Sequence, residues 1–290
     1  MTLSIGAKLP HTGGTAPTLI PEAARQLESA GFDSIWVSDH VALPAKIESY
    51  YPFSPDGHAN WPTNTPYFDA ITALTAPAAV TSKVRLGPAA LVVPQRNPVL
   101  TAKQLACVAA LAGGRLSLGV GAGWLREEFE LLGANFIGRG AAMEEYIALF
   151  REAWTGRLGP RTGGYLVNQE FLVLPTPPVP IPVLIGGHSP RALERAGRIG
   201  DGWLGQQDLP DLDLDSLSRE IATVRAAAHQ AGKDPAAISV ALRLVQSIGR
   251  HNELAAHLTD LARIGVTEII IDVELDRAGQ AYRTLAEVGA

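Results

Sequence analysis

The sequence Ala30-Gly31-Phe32-Asp33-Ser34-Ile35 joins the end of a helical pattern to the start of an apolar run. Residues 21–30 before it place apolar side chains at helical spacing, and Gly31 is a typical helix stop. The same order recurs at Ile264-Gly265-Val266-Thr267-Glu268-Ile269, after a helical pattern that begins at Leu254. Two helix–glycine–strand units so far apart in the chain predict an α/β fold in which helices and strands alternate.

Eight apolar runs are candidate strands. They span Leu3–Leu9, Ser34–Val37, Val84–Leu91, Arg115–Val120, Pro182–Ile185, Gly202–Leu204, Ile238–Leu244 and Glu268–Asp272. Runs such as Val183-Leu184-Ile185 are apolar at every position, which is typical of parallel strands that are buried on both faces. The length of 290 residues fits one barrel, although length alone would also allow two smaller domains. We therefore predict a single (β/α)8 TIM-barrel domain over residues 1–290, in preference to an open doubly wound sheet.

The composition argues against several classes of function. With 24 Lys and Arg against 29 Asp and Glu, the formal net charge is -5, which disfavours binding to a nucleic acid. We recognise no signal peptide and no run of 18 apolar residues, and the only cysteine, Cys107, cannot form an intrachain disulfide. We therefore expect a cytoplasmic protein without a membrane segment. The histidines form no metal-binding motif, and no strand end is expected to carry a lysine suited to Schiff-base chemistry.

Two long segments interrupt the alternation of strands and helices. Residues Pro44–Pro66, after strand 2, form an extended loop rich in Pro, Tyr and Trp. The loop lies on the side of a barrel where active sites are found, so its aromatic side chains suggest a lid or pocket wall. A dimer contact or a packed surface loop is the alternative. Residues 156–180 form an insertion, in which we expect a hairpin around Tyr165–Leu174.

The sequence Ser38-Asp39-His40 directly follows strand 2. An ionisable pair at the carboxyl end of a barrel strand is well placed for proton transfer. Asp39 would orient the imidazole of His40 or form a hydrogen bond with a cofactor. The structural alternative is an aspartate that orders the loop beside a partly exposed histidine.

Small residues at three further strand ends suggest close contact with a ligand. Gly119-Val120-Gly121-Ala122-Gly123-Trp124 lacks the spacing of a dinucleotide fingerprint, and it forms either a ligand contact or a tight turn. Gly186-Gly187-His188-Ser189-Pro190 precedes a helical pattern, where free amides would bind a phosphate or where the serine simply caps the helix. Gly87-Pro88-Ala89-Ala90 indicates a bulge in strand 3.

The chain carries a dense and ordered series of short stretches over residues 3 to 205. They are residues 31–40, Val84–Gly87, Arg96–Leu100, Lys103–Gln104, Gly113–Leu116, Gly119–Trp124, Glu127–Phe129, Ile185–Ser189 and Gly200–Trp203, together with the Pro- and Tyr-rich residues 50–57. Together these stretches resemble the luciferase-like monooxygenase superfamily, and most closely its branch of F420-dependent oxidoreductases from actinobacteria.

The resemblance implies a bacterial luciferase-like TIM barrel with a flavin or deazaflavin ring at the mouth of the barrel. It implies a cis peptide between Ala89 and Ala90 behind the ring, a contact of Asp39 with the cofactor, and support of hydride transfer by His40. The implied cofactor-binding residues are Asp39, Ala89, Ala90, Gly121, Ala122, Gly123, Gly186, Gly187 and His188. Relatives often carry a hydroxyl group where this chain has Pro88-Ala89 and Ala122-Gly123, which leaves the choice between F420 and FMN open.

Three functions are compatible with these observations. The main hypothesis is an F420-dependent oxidoreductase that transfers a hydride between C5 of the deazaflavin and a small organic substrate, with His40 and Asp39 as catalytic residues. The alternative is an FMN-dependent monooxygenase that uses O2 and reduced flavin from a partner flavin reductase. The third is a non-catalytic barrel that binds flavin or F420. By likeness to relatives, we expect a homodimer.

Overall fold

The computed structural model describes residues 3–14, 18–54, 56–59, 61–162, 165 and 167–289. The strands are β1 (Ser4–Lys8), β2 (Ser34–Val37), β3 (Arg85–Pro88), β4 (Leu91–Val92), β5 (Leu118–Gly121), β6 (Arg157–Leu158), β7 (Phe171–Leu172), β8 (Val183–Gly186), β9 (Gly202–Asp208), β10 (Ser239–Val245) and β11 (Glu268–Ile271). The helices are α1 (Leu19–Ala30), α2 (Ala70–Val80), α3 (Pro98–Leu111), α4 (Arg126–Leu131), α5 (Arg139–Ala153), α6 (Pro190–Ile199), α7 (Leu214–Gln230), α8 (His251–Ile264) and α9 (Ala278–Gly289).

Parallel strands form the predicted (β/α)8 TIM barrel. The main sheet has the order β3-β2-β1-β11-β10-β9-β8-β5-β4, and every neighbouring pair is parallel. Strands β3 and β4 are two halves of one barrel strand, separated by Ala89 and Ala90, whose peptide bond is cis. The barrel closes where the Leu86 N–H donates to the Arg115 carbonyl at 2.9 Å and the Ser117 N–H donates to the Leu86 carbonyl at 2.8 Å. The nine strands of the sheet therefore make the eight strands of the predicted barrel.

Glycines end the two helices from which the fold was predicted. Gly31 follows α1 with φ at 107°, and Gly265 follows α8 with φ at 104°. These are left-handed conformations that glycine adopts without the steric cost that a Cβ atom imposes. The amide of Gly31 donates to the carbonyl of Glu28, so the chain turns sharply from helix to strand.

The barrel interior and the layer between barrel and helices form separate apolar clusters. The inner cluster comprises Trp36, Leu184, Leu204, Ala241 and Ile270, with Ala89 and Ala90 packed against it. Neighbouring residues in the same strands face the helices and belong to the outer core. This alternation follows from the two-residue period of a strand, and it makes the inner cluster the floor on which a ligand at the barrel mouth would rest.

Two predicted elements differ most from the structure in their bounds. The predicted strand Gly202–Leu204 is too short, because β9 continues to Asp208 and its glutamines pair with Arg243 and Leu244 of β10. The predicted hairpin starts too late, because β6 pairs with β7 in an antiparallel arrangement from Arg157 onward. Residues 163, 164 and 166 of this insertion, and residues 55 and 60 of the loop after β2, lie outside the described residues. Within the described ranges, no helix combines the length and the apolar character needed to cross a membrane.

Candidate active site

A cavity of about 1040 Å³ lies at the mouth formed by the carboxyl ends of the barrel strands. It brings together all the site residues that the sequence predicts. These are Asp39, His40, Ala89, Ala90, Gly121, Ala122, Gly123, Gly186, Gly187 and His188. Their roles stay predictions, but their convergence on one cavity fits a common ligand.

One side of the cavity is built from residues with little or no side chain. Ala90 precedes β4, Gly121 ends β5 and Gly186 ends β8, and these three strands are neighbours in the barrel. A Cβ atom added to Gly121 would lie 3.5 Å from the Cβ of Ala90, and one added to Gly186 would lie 3.2 Å from the Val120 carbonyl. This small-residue wall therefore leaves the backbone open to a flat ring, which fits a flavin or deazaflavin.

The small-residue wall continues into the start of α6. Gly187 has φ at 117°, a backbone conformation that side chains rarely adopt. Ser189 caps the helix by accepting the Ala192 N–H at 3.3 Å, and Pro190 stands at the first helical position. The serine helix cap, which the sequence allowed as the alternative to a phosphate site, is thus present. Pro190 has no N–H and the Ala192 N–H bonds to Ser189, so the turn suits a phosphate through the helix dipole and the remaining Arg191 N–H.

His40 is held in the cavity by Glu128. Its Nδ1 lies 3.2 Å from Glu128 Oε2, and the residue is buried. The centroid of its ring lies 5.3 Å from the ring centroid of Tyr67, 5.9 Å from that of Trp124 and 6.3 Å from that of Trp61. Because the carboxylate accepts, Nδ1 carries the hydrogen, and Nε2 makes no hydrogen bond with any described residue. The prediction that Asp39 orients the imidazole is wrong, since Glu128 is the carboxylate in contact with it.

Glu128 is an anion that connects α4 to the loop after β2. Its Oε1 accepts the N–H of Val41 at 2.5 Å and the N–H of Ala42 at 3.0 Å. Burial alone would raise the pKa of Glu128, but its hydrogen bonds with His40 and the two amides lower it on balance. The carboxylate therefore stays ionised at neutral pH and can stabilise a positive charge on the imidazole.

Asp39 holds the wall of the cavity together. Its carboxylate accepts the Val92 N–H at 2.9 Å and lies 2.6 Å from Nη2 of Arg96. The other terminal nitrogen of Arg96, Nη1, lies 2.9 Å from Asp69. Burial raises the pKa of Asp39, whereas Arg96 and the Val92 amide favour its charged form. The side chain has no exposed surface. Asp39 thus matches the loop-ordering alternative, and its described carboxylate contacts fix β2 against β4 and the turn that follows.

The aromatic loop after β2 forms part of the cavity wall. Tyr51, Phe53, Trp61 and Tyr67 all line the cavity. Tyr51 packs against Trp61 at 5.0 Å and against Trp124, from the glycine-rich turn, at 4.9 Å between ring centroids. These contacts agree with the prediction of a pocket wall.

His188 is fixed by protein contacts on both ring nitrogens. Its Nδ1 lies 2.8 Å from Glu220 Oε1, and its Nε2 accepts the Gln206 N–H at 3.0 Å. The imidazole of His188 therefore has no free nitrogen for a cofactor, and only its ring face and its backbone are available in the cavity.

A charged side of the cavity was not predicted. Strand β1 ends at Lys8, which lines the cavity, although the sequence analysis expected no strand-end lysine suited to Schiff-base chemistry. Arg243 of β10 also lines the cavity, and it donates to Asp272 and to the carbonyls of Leu244 and Ile270. Lys8 makes no hydrogen bond or ion pair with any described residue. Burial, followed by the charge of Arg243, lowers the pKa of Lys8 to about 8.

A second cavity of about 840 Å³ lies at the opposite end of the barrel. It contains the ion pair between Arg85 and Glu268, 3.1 Å apart, and Glu268 also accepts hydrogen bonds from Ser34 and Trp36. The amino-terminal face of such barrels contributes to stability rather than to catalysis. The mouth cavity is therefore the candidate active site.

Comparisons with known proteins concern the family and the fold of the chain. A family model described as luciferase-like monooxygenase matches residues 2–287. An uncharacterized protein of Mycobacterium tuberculosis is 37% identical over 210 residues, which cover 72% of this chain and 71% of the relative. The F420-dependent hydroxymycolic acid dehydrogenase of the same species is 29% identical over 283 residues, covering 96% of this chain and 72% of that one. A solved F420-dependent secondary alcohol dehydrogenase, in complex with an F420-acetone adduct, covers 100% of both chains with a TM-score of 0.80 at 17% identity, and this likeness concerns the fold.

Proposed function

The chain belongs to the luciferase-like monooxygenase family, and on that premise we propose that it is an F420-dependent oxidoreductase acting on a small organic substrate. The observation that carries this proposal is the pairing of His40 Nδ1 with Glu128, which leaves Nε2 available at the mouth of the barrel. The likeness to an F420-dependent dehydrogenase, which spans 96% of this chain and 72% of the relative, supports the choice of cofactor.

The small-residue wall is the proposed place of the cofactor ring. Ala89, Ala90 and Gly121 expose backbone and methyl groups on one side of the cavity, where a ring can lie flat. The phosphate group would lie at Gly187 and the start of α6, where the helix dipole favours an anion. When bound, F420 supplies the hydride chemistry at C5 of its deazaflavin.

His40 would exchange the proton that accompanies this chemistry. Oxidation of an alcohol releases one proton from the hydroxyl group, and Nε2 of a neutral His40 can accept it. The imidazolium that results would be stabilised by the Glu128 carboxylate at 3.2 Å. In the opposite direction the same nitrogen would donate the proton, so one residue serves both directions.

The aromatic loop would keep water out of the site. Tyr51, Trp61 and Trp124 pack edge to face above the His40 ring, and burial strengthens the electrostatic interaction between His40 and Glu128. A substrate would enter between this loop and the charged side of the cavity.

Cofactor titration tests the proposal. The purified protein is titrated with F420 and, in parallel, with FMN, while quenching of the cofactor fluorescence is followed. We expect micromolar or tighter binding of F420 and weaker binding of FMN. Far tighter binding of FMN would replace the proposal with the FMN-dependent monooxygenase and its partner flavin reductase. Tight F420 binding without turnover over a panel of alcohols and ketones, with and without a carboxylate group, would favour the non-catalytic barrel.

A further inference from the structure

We infer that the substrate is a small organic carboxylate, whose carboxylate group binds to Lys8 on the charged side of the mouth cavity. The inference rests on the proposed function for the reaction itself, but binding of the carboxylate can be measured without it. It depends on three properties of Lys8: its place in the barrel, its missing partner and the charges around it.

The strand order places the charged side of the cavity across from the small-residue wall. Counting around the eight barrel strands, β10 lies opposite β4, β11 opposite β5, and β1 opposite β8. Lys8 ends β1, Arg243 belongs to β10, and Asp272 follows β11. A ring lying on the small-residue wall would therefore present its other face to Lys8 and Arg243, which is where a substrate must be.

Among the residues that the structure describes, none forms a hydrogen bond or an ion pair with the ammonium group of Lys8. Its side chain lines the cavity and is mostly buried. A buried ammonium without a partner is costly, so such groups usually have an anionic partner or lose their proton. A ligand that brings a carboxylate would provide the missing partner.

The charges around Lys8 favour an anion over a cation. Arg243 is already paired with Asp272 and with two carbonyls, so its own hydrogen-bonding capacity is largely used. At Lys8, the charge of Arg243 acts more strongly than the charge of Asp272. The field at this point of the cavity is therefore positive, which attracts anions to it.

The cavity that Lys8 lines is compatible with one negative charge on an apolar body. Trp36, Leu204 and Val245 line the same cavity, and a single ammonium matches one carboxylate. A multiply charged substrate would leave negative charge next to these apolar side chains without a partner, and its desolvation would cost binding energy.

Benzoate and benzamide are suitable probes, because they share a shape and differ in charge. Each is titrated against the full-length protein, and binding is followed through the tryptophan fluorescence of the cavity, which Trp36, Trp61 and Trp124 line. We expect saturable binding of benzoate, at least about tenfold weaker binding of benzamide, and benzoate binding that persists with saturating F420. Equal binding of the two probes would overturn the inference, and so would displacement of benzoate by F420, because the anion would then occupy the cofactor site.

Variants of Lys8 assign the effect to this residue. Lys8→Met removes the charge and keeps the length, and we expect it to weaken benzoate binding about tenfold or more while F420 affinity changes little. Lys8→Arg keeps the charge, so it should retain most of the binding even if Lys8→Met proves unstable. Lys46→Met is the matched control on an exposed lysine that pairs with Glu48. Unchanged benzoate binding in Lys8→Met would refute the inference, whereas failure of F420 to bind to the wild type would refute only the proposed function.

Discussion

His40 and Glu128 form a buried pair although they stand 88 residues apart in the chain. The pair joins the end of β2 to α4, and it leaves Asp39, the direct neighbour of His40, to bind Arg96 instead. Two carboxylates at the mouth therefore have different tasks. Glu128 accepts the hydrogen bond from His40 Nδ1, and Asp39 fixes the strand ends beside it.

Replacement of His40 tests its role in proton transfer. His40→Ala should leave F420 affinity within several-fold of the wild type and lower the single-turnover rate roughly 10²-fold or more, the range expected for one general acid–base group. Melting temperature, cofactor dissociation constant and rate are measured on the same preparation. His58→Ala, on an exposed histidine of the same loop, is the control. A folded, cofactor-bound His40→Ala with the wild-type rate would end the catalytic assignment.

Glu128→Gln tests the positioning role of the carboxylate. The substitution keeps the size of the side chain but removes the charge that Val41, Ala42 and His40 contact, so we expect a loss of about 1–3 kcal/mol in the free energy of unfolding at pH 7. The turnover rate should fall as well. The rate of the double variant His40→Ala/Glu128→Gln should be only slightly lower than that of His40→Ala alone. Additive losses in this double-mutant cycle would mean that Glu128 does not act through His40.

The pKa of Glu128 determines how the difference in stability between wild type and Glu128→Gln should change with pH. The folded-state pKa of Glu128 lies below its ordinary value of 4.5, so the stability that it contributes is complete above pH 4.5. That contribution is lost as the pH falls through the folded-state pKa. The difference between wild type and Glu128→Gln should therefore narrow in acid, as measured by denaturant unfolding. Glu130→Gln, on an exposed residue of α4, should show no such difference.

The local pattern of the sequence suggested that glycine and alanine at the strand ends contact a ligand, with a tight turn or a helix cap as the alternative, and the family resemblance named the residues of the small-residue wall. The local pattern was not enough to predict the partner of His40, because adjacency in sequence favoured Asp39 and only the fold brings α4 to the end of β2. The stretch containing Glu128 was part of the family resemblance, but nothing in its sequence indicated which of its glutamates points to the histidine. Arg96, in another such stretch, was missed for the same reason.

The barrel itself was predictable because its strands are apolar on both faces and its helices end at glycine. The apolar pattern no longer marked the strand where polar side chains follow the apolar ones. Strand β9 continues through Gln206 and Gln207, whose backbone pairs with β10 while their polar side chains end the apolar pattern. Lys8 was missed for a similar reason, since a single lysine at the end of an apolar run gives no sign of whether it faces a cavity or the solvent.

Gly187→Asp tests the proposed phosphate position. A carboxylate at this point would repel a phosphate at the start of α6, so F420 binding should weaken. Any side chain at Gly187 is strained, since φ is 117° and an added Cβ would lie 3.0 Å from the Cβ of Ala192. Gly187→Asn shares that strain without the charge and is the matched control. We expect Gly187→Asp to bind F420 about tenfold more weakly than Gly187→Asn in the same fluorescence titration, and equal affinities would place the phosphate elsewhere.

The homodimer stays a prediction that light scattering can test. Helix α3 exposes Leu100 and Leu111, each 57% accessible, and such side chains could contribute to an apolar contact between subunits. We expect a dimeric mass at micromolar concentration, and a shift toward the monomer in Leu100→Glu. A monomeric mass for the wild type would contradict the prediction.

The stability of the protein in mild alkali should report the burial of Lys8. Its pKa is lowered from 10.5 to about 8, so above pH 8 the folded protein releases a proton that the unfolded chain still holds. Stability rises with pH wherever the unfolded state binds more protons, by about 1.4 kcal/mol per pH unit for one group. Because Lys8 keeps some contact with solvent, we expect wild type to gain roughly 2 kcal/mol relative to Lys8→Met between pH 8 and pH 10.5. Denaturant unfolding measures this gain. Glu48 raises the pKa of the exposed Lys46, so in this window the folded protein does not release the Lys46 proton before the unfolded chain does, and wild type should show no such gain relative to Lys46→Met. A flat difference for Lys8→Met would mean that Lys8 is solvated as an ordinary surface lysine, and the charged side of the cavity would then lose its reason to bind an anion.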